Sequence, residues 1–300
     1  MRVFVTGGTG FIGQHVLRYL LQNDHELLVL KLENEDVSQF KSLKGLEFFE
    51  GNLENLKAVR TQLKTFQPEA TVHLAWEGIP NYDYTLSTKN LLQSLRLLML
   101  LAELGCKKIL CTGSCWEYVN KVGKLSEDSL IQASNPFTAA KISLHTMGRE
   151  IAKANAQQFI WVRLFYVYGP GQKSHSLIPH IISSIRSGKA LEIKTPRTRN
   201  DFIYVEDVAR AITQLMDAQT THEVYNIGSG TSTEITDIIN MAYQAYGLKQ
   251  HFTPAPKSRE IPVNFWADIS RIHDQVGWEP QVKIKEGIQR TVDYWKTLTK

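Results

Sequence analysis

The stretch Thr6–Gly13, TGGTGFIG, follows the apolar run Met1–Val5, and it can do chemistry through its backbone alone. Gly7, Gly10 and Gly13 form GxxGxxG, while Gly8, Gly10 and Gly13 form GxGxxG. Either spacing suits a strand that turns tightly into a helix beginning near Phe11 and Ile12. There the free N–H groups and the positive end of the helix dipole neutralise a pyrophosphate. A dinucleotide is the expected ligand of this turn, and an ordinary glycine turn is the alternative. Lys31 ends the next apolar run, Glu26–Leu30, where a dinucleotide fold meets the adenosine ribose. A cation there accommodates a 2′-phosphate, which favours NADP(H). NAD(H) stays open if Glu33 or Glu35 reaches the ribose instead.

These groups need a sheet to position them. Leu46–Phe49 reads as a third strand, leading to Asn52 and Leu53 at the adenine, and Ala70–Leu74 as a fourth. Leu74, Ala75 and Trp76 then border the cofactor, with small Ala75 letting it pass closely. His73 is read as a packed histidine. A fifth strand, Lys108–Cys111, delivers Thr112 and Ser114 at its carboxyl end, the end where ligands sit in open α/β sheets. A helix near Phe137–Ala154 carries Lys141 in its first turns, and Phe159–Arg163 is a sixth strand. Strand and helix alternate to this point, as in a parallel, doubly wound sheet. From Tyr168 the pattern breaks into turns, short strands and helices. The expected fold class is therefore α/β: a Rossmann-type dinucleotide-binding domain over 1–165 and a smaller C-terminal substrate-binding lobe over 166–300 that closes over the cofactor. A part near 201–225 is expected to return to the first domain. The helix Thr85–Leu104 is apolar on more than one face, which predicts burial or a homodimer through paired helices.

Composition narrows the classes. Three hundred residues with 43% hydrophobic content bury a substantial core. No basic leader and no stretch long enough to span a bilayer is read, so a cytoplasmic protein without a membrane partner is expected. The net charge of +4 is spread along the chain, which favours small anions over nucleic acid. Cys106, Cys111 and Cys115 match no zinc or disulfide spacing and are expected to be reduced core thiols, with no metal.

Taken together, TGGTGFIG, GNLEN, HLAW, CTGSCWEYV, NPFTAAK, RLFYVYGPG, NDFIYVEDVARAI, YNIGSG and ADISRIHDQVGWEP resemble the extended short-chain dehydrogenase/reductases. Within them the chain is similar to the nucleotide-sugar epimerases, dehydratases and ketoreductases, over nearly its whole length. The resemblance implies a nucleotide-diphosphate sugar as substrate and a Ser, Tyr and Lys as catalytic residues, the Lys four residues after the Tyr. Ser114 and Lys141 match. Residues i and i+4 share a helix face, and a neighbouring cation stabilises phenolate. The Tyr position holds Phe137, which fills the same volume and cannot move a proton. Three readings stand open: an engineered Tyr→Phe exchange that traps substrate, a natural enzyme using Tyr118 or a water on Ser114, and a natural loss of catalysis that leaves a sensor or scaffold.

The dehydratases of the family carry Asp and Glu directly after the hydroxyl residue, and here Cys115 and Trp116 stand there, so dehydration is not expected. Lys31 and the missing pair together favour NADPH-dependent reduction of a nucleotide-linked 6-deoxy-4-ketohexose, a deoxysugar 4-ketoreductase. An NAD-dependent 4-epimerase is the alternative. Trp76, Ser114, Cys115, Trp116 and Tyr166 are assigned to the sugar. Arg199 or Arg259 is assigned to the diphosphate, because relatives place an Arg where this chain has Asn200.

Overall fold

The computed structural model describes residues 1–119, 121–249, 251–253 and 263–298. In chain order the first half runs β1 (Arg2–Thr6), α1 (Gly13–Gln22), β2 (Glu26–Lys31), β3 (Leu46–Glu50), α2 (Leu56–Phe66), β4 (Ala70–His73) and α3 (Tyr84–Glu103). β5 (Lys108–Ser114), β6 (Val122–Leu125), α4 (Pro136–Ala154) and β7 (Gln158–Leu164) follow. The second half runs β8 (Tyr166–Tyr168), α5 (Leu177–Ser187), β9 (Arg199–Asn200), β10 (Phe202–Tyr204), α6 (Val205–Asp217) and β11 (Val224–Ile227). It ends with β12 (Thr233–Glu234), α7 (Ile235–Ala245), β13 (Asn264–Ala267), α8 (Ser270–Val276) and α9 (Ile284–Thr297).

One compact unit comprises Met1–Val119, Ser129–Leu164 and Ala209–Tyr225. Its seven-stranded sheet has the order β3-β2-β1-β4-β5-β7-β11, and the five pairings from β3 across to β7 are all parallel. A parallel sheet is covered on both faces, so its strands are apolar throughout rather than alternating. Val3, Phe4 and Val5 of β1 and Ile109, Leu110 and Cys111 of β5 are accordingly fully buried. The strand order reverses between β1 and β4, and the crevice at their carboxyl ends is where such sheets bind ligands.

The second unit contains 121–128, Phe165–Val208 and the described residues from Asn226 onward. Segment 121–128 thus leaves the 1–165 span that the sequence assigned to the first domain. Its parallel pairing with β13 accounts for this, since Val122–Leu125 lies beside Asn264–Ala267. The core of this unit gathers Tyr168, Ile178, Ile181, Phe202, Ile238 and Ile288.

Several local expectations shift. α1 begins at Gly13 rather than near Phe11, because Phe11 and Ile12 are used in the turn itself. β5 continues through Ser114 because its pairing with β7 runs to Leu164. Helix α2 is absent from the sequence reading: it buries only Val59 and Leu63, too sparse a stripe to stand out in a polar segment.

Candidate active site

The glycine turn is held from below. Gly10 N–H donates to Gly7 O at 3.1 Å and closes the turn. Gly7 has φ +71°, and a Cβ there would stand 2.7 Å from the backbone nitrogen of Ala75, so only glycine lets the turn lie against the end of β4. Behind it, α1 has Ile12 at its N-cap, with no side-chain cap and no acid in its first turn. Its first N–H groups lack a side-chain acceptor, which is what an anion at this end requires. These residues fit the pyrophosphate of a nicotinamide dinucleotide, with Gly7, Gly10, Phe11 and Ile12 on the turn and Leu74 and Ala75 beside it. Leu74 N–H donates to Thr6 O at 3.0 Å and fixes that edge.

A polar chain stiffens the same edge. Ser94 Oγ–H donates to Asn90 O at 2.7 Å, so it accepts from His73 Nε2–H at 2.9 Å. His73 Nδ1 is then the acceptor for Thr6 Oγ1–H at 2.6 Å. Burial pushes the His73 pKa down to about 3, with the Lys141 charge adding to it, which matches a neutral imidazole used as a strut.

Ser114 is set by a buried group that its own neighbourhood supplies. The 3-10 turn Cys115–Glu117 is capped by Ser114, whose Oγ accepts from Trp116 N–H at 3.2 Å. Ser114 N–H donates to Glu117 Oε1 at 2.8 Å. The Glu117 carboxylate is 0% exposed and also accepts from Trp161 Nε1–H at 3.2 Å and Arg163 Nε–H at 2.8 Å. Arg163 in turn donates to the Tyr118 hydroxyl at 3.1 Å and lies over the Tyr118 ring. A Cβ on Gly113 would fall 2.3 Å from both Glu117 Oε1 and Trp161 Nε1, so glycine is required for this packing.

α4 presents the other half of the site. Asn135 Oδ1 accepts from Thr138 N–H at 2.9 Å, Thr138 Oγ1 accepts from Asn135 N–H at 3.1 Å, and Pro136 occupies the first turn. This capping box fixes where the helix starts and therefore puts Phe137 and Lys141 on one face. Lys141 is 5% exposed; its Nζ donates to Thr112 O at 2.8 Å and stands 3.8 Å above the Trp76 ring. Burial lowers its pKa to about 8, against the opposing charge of Glu117. The Phe137 ring, 6% exposed, meets three aromatics: Trp76 at 5.6 Å, Tyr82 at 5.1 Å and Trp116 at 6.2 Å between centroids.

Ser114, Phe137, Lys141, Thr112, Trp76 and Trp116 are thus brought together as the sequence suggested. Other assigned residues have partners of their own. Lys31 Nζ lies 2.7 Å from Glu50 Oε1, so the cation read as free for a 2′-phosphate is already paired across β2 and β3. Asn52 spends its Oδ1 on the N–H groups of Glu54 and Asn55 at 3.1 and 3.0 Å, and Leu53 is buried. Cys115 is 2% exposed, a core position instead of a sugar contact, because the 3-10 turn points it inward. Tyr118, a proposed substitute acid, is 2% exposed and engaged by Arg163. In the second unit, Tyr166 packs on Phe202 and Phe265, and the Arg199 guanidinium binds Ser232 O at 3.0 Å and Glu234 at 3.5 Å. Arg259 lies outside the described residues. Glu117, Arg163 and Tyr82 were missed. Arg163 did carry a signal, since a lone charge inside the apolar strand Gln158–Leu164 demands a buried partner.

Comparison with known proteins agrees with this geometry. A UDP-glucuronate 4-epimerase of Thermodesulfobacterium geofontis is 27% identical over 97% of this chain and 95% of its own length. The structure of a UDP-glucose 4-epimerase from Thermotoga maritima with UDP-glucose superposes with a TM-score of 0.88 at 24% identity, over the full length of both chains. That of a UDP-glucuronic acid 4-epimerase from Bacillus cereus with NAD gives 0.86 at 24% identity, again over both full chains. These two likenesses establish the fold. The model of the NAD dependent epimerase/dehydratase family matches residues 3–228, a span that includes the glycine turn, Ser114, Phe137 and Lys141. By that match, on a seven-stranded Rossmann-type sheet, this chain belongs to the NAD dependent epimerase/dehydratase family.

Proposed function

We propose that this chain is an NAD-dependent 4-epimerase of a nucleotide-linked sugar. The observation that carries the reading is the make-up of the site around Phe137: a hydroxyl, an ammonium and aromatic faces, with no acid at the two positions a dehydratase needs. Cys115 and Trp116 hold those positions, and the next carboxylate, Glu117, is sealed behind Ser114 against Arg163. Such a site supports oxidation and reduction at a carbinol and lacks the acid–base pair for eliminating water. The 4-ketoreductase reading, with NADPH and a 6-deoxy-4-keto sugar, drew on Lys31 as a cation at the adenosine ribose. Its pairing with Glu50 removes that support, and the relatives named above are 4-epimerases.

When bound, NAD supplies the acceptor and donor of the electron pair at the sugar carbon. This chain's residues do the rest. Lys141, anchored to Thr112 O with two further N–H donors, would hold hydroxyls of the nicotinamide ribose. Ser114 Oγ, oriented by accepting from Trp116 N–H, donates a hydrogen bond to the reacting sugar oxygen. The Trp76 and Trp116 rings exclude water and offer an apolar wall to the sugar. Leu92 and Met99 on α3 and Met147 on α4 are exposed, which supports a homodimer through these helices. A dimeric mass in solution checks it, and a monomeric mass refutes it.

The test of the activity is product analysis. Purified protein with NAD and either UDP-glucose or UDP-glucuronate should yield the 4-epimer without net cofactor reduction. Oxidation of NADPH on a 4-keto nucleotide sugar, with no epimer formed, would replace this reading by the reductase. Binding of NAD and sugar nucleotide without any product would make the chain a sensor.

A further inference from the structure

An aromatic ring without an oxygen sits where the reaction needs a proton carrier, and the structure has a phenol against it. Tyr82 is half-buried, its ring centroid 5.1 Å from that of Phe137 and 5.1 Å from that of Trp116. Of the three aromatics around Phe137 it alone carries an ionisable hydroxyl. No hydrogen bond occupies that hydroxyl among the described residues, whereas Tyr118 is buried and tied to Arg163.

The backbone beside Tyr82 is held on both sides. Asn81 Nδ2 donates to Asp83 Oδ2 at 2.7 Å while Asp83 N–H donates to Asn81 Oδ1 at 3.1 Å, a reciprocal clamp around residue 82. Asp83 also caps α3, accepting from Leu86 N–H at 2.8 Å. At the start of the segment, Glu77 N–H donates to Asn90 Oδ1 at 2.8 Å and Asn90 Nδ2 donates back to Glu77 O at 3.1 Å. Three side chains thus fix the backbone of the segment that carries Tyr82 into α3.

We propose that Tyr82 supplies the phenol that position 137 lacks, exchanging a proton with the sugar oxygen at the carbon that is oxidised and reduced. The proposal rests on the 4-epimerase reading above. In the oxidative half, the sugar O–H bond breaks and its proton passes to the Tyr82 oxygen, which enters that half ionised; half-burial raises the Tyr82 pKa above the usual phenol range, so kcat should climb as pH rises towards it. The C–H bond breaks with its electron pair going, with the hydrogen, to the nicotinamide dinucleotide, and the C=O bond is completed. The reductive half returns the pair to carbon and the proton from Tyr82 to oxygen, so no outside oxidant or reductant is consumed. Phe137 then serves as the apolar back wall that keeps the Tyr82 ring in place. The chain keeps its proton carrier and moves it from the helix to the segment before α3.

The experiment uses the full chain with NAD and UDP-glucose or UDP-glucuronate. Tyr82→Phe should lower kcat about 10²-fold, the usual worth of one positioned acid–base group, with KM and calorimetric NAD binding unchanged. The double variant Tyr82→Phe with Phe137→Tyr should recover most of the rate, because the phenol returns to the neighbouring ring. Full activity in Tyr82→Phe overturns the proposal, as does a rise in KM with kcat intact, which marks a sugar contact. A silent native chain beside an active Phe137→Tyr variant overturns Tyr82 as carrier and leaves the 4-epimerase reading standing. Silence of both defeats the reading and the proposal with it.

Discussion

Two carboxylates, each 0% exposed, are satisfied in different ways. In the first unit Glu117 meets a guanidinium, an indole N–H and one backbone N–H. In the second unit Asp201 meets mainly backbone, Ser229 N–H at 2.6 Å, Ala267 N–H at 3.0 Å and Gly230 N–H at 3.1 Å, with the Ser229 side chain beside them. A side-chain ion pair is expensive to bury and leaves a charge stranded if one partner goes. Backbone donors stay where the strands put them and leave no charge behind. The costlier solution stands behind Ser114, the hydroxyl proposed to meet the sugar oxygen, and the cheaper one where loop ends must be tied.

The largest expected effect breaks this contrast at Glu117. Glu117→Ala takes the carboxylate away from the buried Arg163 guanidinium and should destabilise by about 3–5 kcal/mol, read by urea unfolding. Adding Arg163→Met should restore most of that loss. If Glu117→Ala costs no more than an ordinary surface substitution, the pair is not buried as described.

Lys141 sharpens the contrast as a buried charge that is hydrogen-bonded to a backbone carbonyl, with Glu117 only partly offsetting its burial. Its pKa is lowered to about 8 from 10.5, so folding disfavours the ammonium. The sign follows from linkage: its contribution is fully present above the unfolded value of 10.5 and is lost as pH falls through about 8. Lys141→Met should therefore gain up to about 3 kcal/mol at neutral pH, with the gap to the native chain closing towards pH 10.5, while turnover collapses. Denaturation curves at pH 7 and above pH 9 test this, and a gap that does not change with pH refutes it.

At Asp201 the loss should be smaller. Asp201→Ala strands three backbone N–H groups without stranding a charge, for about 1–3 kcal/mol, and calorimetric NAD affinity should not move, since the glycine turn belongs to the other unit. A loss as large as that of Glu117→Ala would erase the distinction. The partly exposed Lys31–Glu50 pair gives the smallest effect. Glu50→Gln should change stability by at most about 1 kcal/mol and shift cofactor preference towards NADP by freeing the cation. An unchanged NAD-to-NADP ratio would show that Lys31 is remote from the ribose.

How much of this was readable beforehand varies from residue to residue. The glycine turn and the strands near it were legible, because their geometry is set within a few residues by the missing side chains of Gly7 and Gly10 and by apolar runs of strand length. Ser114 and Lys141 were legible through motif spacing, and the capping box at Asn135 and Thr138 shows why that spacing holds. Lys31 was read from its place at the end of a strand alone, and its pairing with Glu50, 19 residues away on the next strand, was not legible. α2 went unread because its stripe is two buried residues wide.

By itself, then, the sequence determined what is local or repeated: a strand–turn–helix that can bind a pyrophosphate, an alternation that must build a parallel sheet, and the absence of an oxygen at position 137. Tertiary structure alone decided the pairings: Glu117 with Arg163, Lys31 with Glu50, and the Tyr82 ring with Phe137. Burial, desolvation and ring contact depend on which distant residues share a few ångströms, and strand register and helix packing set those neighbours.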